Sequence, residues 1–201
     1  MSCPTNGHET RIASYFVLPQ SITTAIIAEV KTSFKNHFTV EKRGEEKMKI
    51  RAAIRDDFHD IHRLLMEVHQ LHHKNRPDVY RDGDPMTKED FLDVLENQRA
   101  FLLIAEIDGT VAGYCTVTIR DPRENPLLVP HRVAYMEELC VDMKYRRRKI
   151  GERLMKAAED EARKKGAEKM ELMVWAFNNA AVEFYRKMEM STRCCIMEKY
   201  L

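Results

Sequence analysis

The 201-residue chain lacks an excess of either charge: 33 lysines and arginines stand against 32 aspartates and glutamates, a formal net charge of +1. No global field therefore draws it to nucleic acid or to an anionic membrane, and any attraction for an anion has to be local. It also lacks a long apolar run. The stretch from Tyr15 to Val30 is broken by Pro19, Gln20, Ser21, Thr23, Thr24 and Glu29 and has no basic flank before it. It is too polar to span a bilayer and does not read as an export signal, so a cytoplasmic protein is expected. Paired cysteine spacing is missing too. Cys3, Cys115, Cys140, Cys194 and Cys195 are odd in number, without a C-x-x-C, which suits reduced thiols better than a disulfide framework. No internal repeat appears.

What the chain does have is concentrated between Tyr135 and Lys165, YMEELCVDMKYRRRKIGERLMKAAEDEARKK. Tyr135 to Val141 is a short strand-favouring run, whereas Ile150, Leu154, Ala157, Ala158 and Ala162 recur at helical spacing. Between them Arg146, Arg147, Arg148, Lys149 and Gly151 crowd the start of the helix. Unpaired backbone N–H groups and the positive end of the helix dipole favour an anion there. A diphosphate-bearing ligand is one reading of this turn; a solvated basic cap is the other.

Around this centre the expected elements follow in order. Residues 1–47 end in the charged string EKRGEEK and read as an accessory extension, with an amphipathic helix from about Ser21 to Phe34. The compact domain is expected to run over 48–201. Met48 to Ile54 reads as a strand. Asp56 or Asp57 then caps a helix that buries Phe58, Ile61, Leu64, Leu65, Val68 and Leu71. His59, His62, His69, His72 and His73 decorate this helix as surface or cleft residues. The i, i+4 pair His69 and His73 has no matching carboxylate or thiol, so no metal site is expected. Asn75 to Pro85 is a loop, and Thr87 caps a second helix. The Asp108-Gly109 turn between Ala100–Ile107 and Val111–Ile119 signals an antiparallel hairpin. Gly166 ends the long helix. Lys169 to Val174 is a strand, Ala180 to Met188 a helix, and Arg193 to Leu201 a last strand, which would send Cys194 and Cys195 to opposite faces. The strand–helix–strand run from Tyr135 to Val174 implies a parallel crossover.

The order of elements, the Arg146 turn and the phrase NNAAVEFYRKMEM resemble the GNAT superfamily of acetyl-CoA-dependent N-acetyltransferases. In that family the turn reads Q/R-x-x-G-x-G/A. Here it stands as Arg146-Arg147-Arg148-Lys149-Ile150-Gly151, with Lys149 in place of the first glycine. The resemblance spans roughly Met48 to Leu201 and implies an α/β fold: a mixed, mostly antiparallel central sheet flanked by helices. It implies that the turn from Arg146 through Glu152 holds the pyrophosphate of acetyl-CoA, that the backbone of Leu139, Cys140 and Val141 pairs with the pantetheine arm, and that Asn178 touches it. Tyr185 matches the tyrosine proposed to protonate the departing thiolate.

An amine attacks a thioester only as the neutral base, so a carboxylate must take its proton. Glu137 is the expected general base, sharing a strand face with Tyr135, Leu139 and Val141 unless a bulge intervenes. Glu138 is a second candidate, or a binder of a cationic acceptor. Cys140 has no neighbour in sequence to activate it, which favours direct transfer over an acyl-enzyme. The expected reaction is acetylation of a primary amine, more cationic than neutral. A protein N-terminus or lysine as acceptor, and a silent acyl-CoA-binding module, are the rival readings. The four cations, without interleaved aromatics, do not make a nucleic-acid patch. A homodimer through the last strand or the N-terminal arm is left open.

Overall fold

The computed structural model describes residues 47–122 and 126–201. Cys3 and the helix expected over Ser21–Phe34 lie outside them. The sheet is built from β1 (Met48–Ala52), β2 (Ala100–Ile107), β3 (Thr110–Arg120), β4 (Val133–Val141) and β5 (Lys169–Leu172), in that spatial order. The first four are antiparallel neighbours and β5 joins β4 in parallel. Helices α1 (Phe58–Asn75) and α2 (Lys88–Glu96) connect β1 to β2. Helix α3 (Ile150–Lys164) makes the crossover from β4 to β5, and α4 (Asn179–Lys187) follows. Among the described residues no helix is long and apolar enough to cross a membrane.

Local chemistry explains most of these boundaries. Asp108 and Gly109, at φ 48° and 79°, supply the left-handed pair that a tight hairpin between β2 and β3 demands. Thr87 accepts from the Asp90 backbone N–H, while the Asp90 carboxylate accepts from the Thr87 N–H, a reciprocal cap on α2. Asp57 precedes α1 as expected, yet its carboxylate serves elsewhere: it takes two hydrogen bonds from Arg51 of β1, at 2.7 and 2.8 Å, and one from the Ile54 N–H.

Two apolar layers sandwich the sheet. On one side Cys115, Val117, Ile119, Ala134, Met136, Leu139 and Val141 meet Ile150, Leu154, Met155, Ala158 and Ala162 of α3 and Phe184 and Tyr185 of α4. On the other, Leu102, Ile104, Tyr114 and Cys140 meet Ile61, Leu64, Leu65 and Val68 of α1 and Phe91 of α2. Each fully buried leucine contributes about 1.5–3 kcal/mol relative to exposure.

Three expectations are corrected. Residues 191–201 are exposed and form no strand, so Cys194 and Cys195 both face solvent rather than opposite faces of a sheet. β-favouring composition alone supplied no ladder partner for them. His72 is fully buried, not a surface residue, and burial pushes its imidazole down to about 4, so it stays neutral. The β5 ladder stops at Leu172, two residues early.

Candidate active site

The candidate site centres on Glu137 and Glu138 of β4, the strand that lies between β3 and β5. The β3–β4 register pairs Thr116 with Glu138 and then Val117 with Met136, so Glu137 is the extra residue of a bulge. The bulge resets alternation. Met136 and Leu139 both enter the α3 layer, while Glu138 and Cys140 face α1. Glu137 therefore does not share a face with Leu139 and Val141. It turns instead to Arg120, which donates to its carboxylate at 3.1 Å and stacks over the Tyr135 ring at 3.4 Å. The bulge thus gathers both glutamates on the α1 side of β4.

Their environments differ. Glu138 is 2% exposed and accepts a 2.7 Å hydrogen bond from the Tyr114 hydroxyl. Burial raises its carboxyl to about 7, against the opposing pull of that bond. Glu137 is also raised by burial, but Arg120 and Thr118 hold the rise in check. One carboxylate is sealed against a neutral phenol, with Glu137 as a like-charged neighbour; the other is partly buried and ion-paired to Arg120.

At the same point the sheet opens. The parallel ladder of β4 with β5 ends at the Met136–Leu172 pair, so the β4 edge from Glu137 through Leu139, Cys140 and Val141 has no β5 partner. An extended arm of a ligand finds an edge strand there. Cys140 is not a nucleophile in waiting: its thiol is buried, raised in pKa by that burial, and directed at the Leu64 carbonyl.

β4 leads into the basic turn, which the Asp142 carboxylate fixes by accepting from the Lys144 N–H at 2.9 Å and from Arg63 of α1 at 2.8 Å. Arg147 and Lys149 both adopt left-handed backbone, with φ 65° and 58°. Lys149 is the N-cap of α3, and this is why its place suits glycine. The first helical bond runs from Arg153 N–H to the Lys149 carbonyl, leaving the N–H groups of Ile150, Gly151 and Glu152 at the open end of α3. Gly151 earns its place by packing: a Cβ there would lie 3.3 Å from the Phe184 ring. Of the four cations, Arg146 folds back to donate to the Val141 carbonyl at 3.2 Å, whereas Arg147, Arg148 and Lys149 are exposed. Lys149→Gly is expected to relieve about 0.5–1 kcal/mol of left-handed strain and raise Tm by roughly 1–4 °C. Lys149→Val is expected to lower it. A thermal melt that reverses this order refutes the strain.

Asn178 uses its side-chain oxygen to accept from the Ala181 N–H at 3.1 Å, capping α4. That cap sets Tyr185, which is buried edge-on to Phe184 with ring centroids 5.3 Å apart. Beyond β5 stands an aromatic wall that no sequence motif announced. The Trp175 indole N–H donates to the Tyr80 hydroxyl at 2.8 Å, Tyr80 stacks on His72 at 4.9 Å, and Phe177 stacks on Trp175 at 5.9 Å. Three α1 histidines hold the loop that carries Tyr80. His62 pairs with Asp84, and His69 and His73 donate to the carbonyls of Arg81 and Tyr80.

A mixed sheet that splays beside a bulged, acidic β4 and feeds a left-handed basic turn defines an acyl-CoA-dependent transferase. Residues 58–190 match the model of the acetyltransferase (GNAT) family, and the chain belongs to that family, as an acetyl-CoA-dependent N-acetyltransferase. It is 28% identical over 144 residues, 71% of this chain and 83% of the relative, to a Bacillus subtilis (strain 168) protein to which N-acetylation of an alanine of ribosomal protein bS18 is ascribed. The crystal structure of a mutant of the BH1408 protein from Bacillus halodurans superposes with a TM-score of 0.73 at 25% identity, over 76% of this chain and 99% of that one. The aminoglycoside N-acetyltransferase AAC(6')-Iy, solved with CoA, superposes with a TM-score of 0.59 at 18% identity, over 80% and 99%.

Proposed function

We propose that the protein acetylates a primary amine on a small cationic molecule by direct attack, with Glu137 as general base and Tyr185 as general acid. The observation that carries this reading is the β4 bulge, which sets Glu137 and Glu138 on one face at the point where β4 parts from β5. Acetyl-CoA supplies the activated acetyl thioester. The residues of the basic turn fit its charged end: the α3 N–H groups of Ile150, Gly151 and Glu152 receive phosphate oxygens, and Arg147, Arg148 and Lys149 add charge from the surface. Leu139, Cys140 and Val141 offer main-chain groups to the pantetheine arm, and Asn178, through its cap on α4, keeps Tyr185 near the sulfur.

Glu137 takes the proton that an ammonium must lose before it can attack, and its partly exposed carboxylate gives an acceptor access. A backbone N–H near Val141 steadies the oxyanion. Tyr185 returns a proton to the leaving thiolate. The cationic acceptor is argued from the acidic character of β4 at this point, with Glu137 within reach of an ammonium and Glu138 buried behind it. Acceptors of a second class, protein α-amines, are favoured by the B. subtilis relative and its ascribed alanine substrate.

The test is mass spectrometry of an amine library, including alanine-initiated peptides, incubated with the protein and acetyl-CoA. Gain of one acetyl group on an amine is the expected result. Tyr185→Phe is expected to lower kcat by roughly 10- to 100-fold with acetyl-CoA affinity unchanged. Binding of acetyl-CoA without turnover of any amine, unaltered by that substitution, would establish a silent module instead.

A further inference from the structure

On the α1 side of the sheet, α1 lies against β3 and β4, and α2 against β2. Glu171 of β5 belongs to this side. Its neighbours Met170 and Leu172 pack into the α3 layer, and its register partner is Tyr135, the ring beneath Arg120. Glu171 and Glu137 are thus carboxylates on one face of adjacent strands. The group that occupies Glu171 comes from residues 191–201: the Arg193 guanidinium is ion-paired with its carboxylate. Further along, the same segment is tied to the end of α1. Arg76 donates to Glu198 at 3.0 Å while stacking on Trp175 at 4.7 Å, and the Tyr200 hydroxyl donates to Asp78. Every residue from Ser191 to Leu201 is exposed, so these ties are solvated ion pairs and hydrogen bonds of the weak, releasable kind. A strap so built pairs a cation of the chain's own with Glu171.

We propose that Glu171 anchors a second, non-reacting ammonium of the acceptor, and that Arg193 is its built-in competitor, displaced when the acceptor binds. The acceptor's identity as an amine substrate rests on the acetyltransfer reading above; the cation site itself does not. A diamine then places one nitrogen at Glu171 and the other beside Glu137 on the neighbouring strand. A monoamine has nothing to exchange for Arg193.

The experiment is calorimetric titration of putrescine, with butylamine as the monoamine, into the full chain and its Arg193→Gln, Glu171→Gln and doubly substituted forms, alongside acetyl transfer to both amines. Arg193→Gln is expected to tighten putrescine binding about threefold, the scale of one exposed ion pair. Glu171→Gln is expected to weaken it roughly five- to tenfold and to cancel the gain from Arg193→Gln in the double variant, with butylamine indifferent to all three. If the strap is only structural, Arg193→Gln leaves putrescine binding unchanged or weaker, and the proposal is overturned. Should these binding shifts appear while neither amine nor any other is acetylated, the cation site stands and the acetyltransfer reading falls. Acetylation with no shift in binding sinks the cation site alone.

Discussion

Glu137→Gln is expected to lower kcat by roughly two to three orders of magnitude, the span usual for loss of a positioned general base. Affinity for acetyl-CoA should hold, because the turn and the main chain of Leu139 to Val141 are untouched. The pH profile identifies the mechanism. Burial raises the Glu137 carboxyl from its ordinary range. Below that raised value the group is protonated and cannot accept, so kcat climbs as pH rises through it, and the glutamine variant loses this limb. Glu138→Gln should cost far less, because Glu138 is sealed against Tyr114 and out of reach of an entering amine. Burial raises its carboxyl to about 7. If Glu138→Gln instead abolishes turnover together with a limb centred near 7, while Glu137→Gln is mild, the base is Glu138 and the roles assigned here are exchanged.

That ambiguity between neighbouring glutamates shows where sequence reading reached its limit. Helices, caps and the hairpin turn are written in short-range chemistry. The Asp108-Gly109 pair, Thr87 with Asp90, and the α3 stripe of Ile150, Leu154, Ala158 and Ala162 were all legible because a few residues settle each. The basic turn was legible as well, though not its left-handed Lys149. The bulge was not, since it is a mismatch of register between β4 and β3 and exists only once both strands are paired. Two adjacent glutamates inside an otherwise apolar strand were its one local trace. His72 had a stronger signal: it lies four residues beyond Val68 on the stripe of Ile61, Leu64 and Leu65, and periodicity placed it in the core more surely than its polarity placed it outside. The Tyr80 and Trp175 wall joins positions 95 residues apart, so no window along the chain holds both. Residues 193–201 carried strand composition without a strand, because a ladder needs a partner as well as a propensity.

Gly113→Ala is expected to be the most damaging single methyl in the domain. A Cβ at Gly113 would stand 2.7 Å from the Cys140 carbonyl oxygen, 3.3 Å from the Val141 Cα and 3.3 Å from a methyl of Leu154. The first two neighbours are backbone of the paired strand and cannot swing aside, so β3 and β4 must separate. Overpacking of this kind costs about 2–4 kcal/mol, and Tm should fall on the order of 10 °C. Gly151→Ala is the informative comparison, because its new methyl meets side chains alone, the Phe184 ring at 3.3 Å and a Val141 methyl at an ordinary 3.8 Å, and a ring can tilt. It should cost about 1 kcal/mol or less. The two variants also part in function. The strand that Gly113 would displace carries Cys140 and Val141, whose main chain is proposed to receive the pantetheine arm, so Gly113→Ala should weaken acetyl-CoA binding even at temperatures where the protein remains folded. A Gly113→Ala protein that melts like the parent would mean that β3 and β4 lie farther apart at this point than the register of Gly113 opposite Val141 requires.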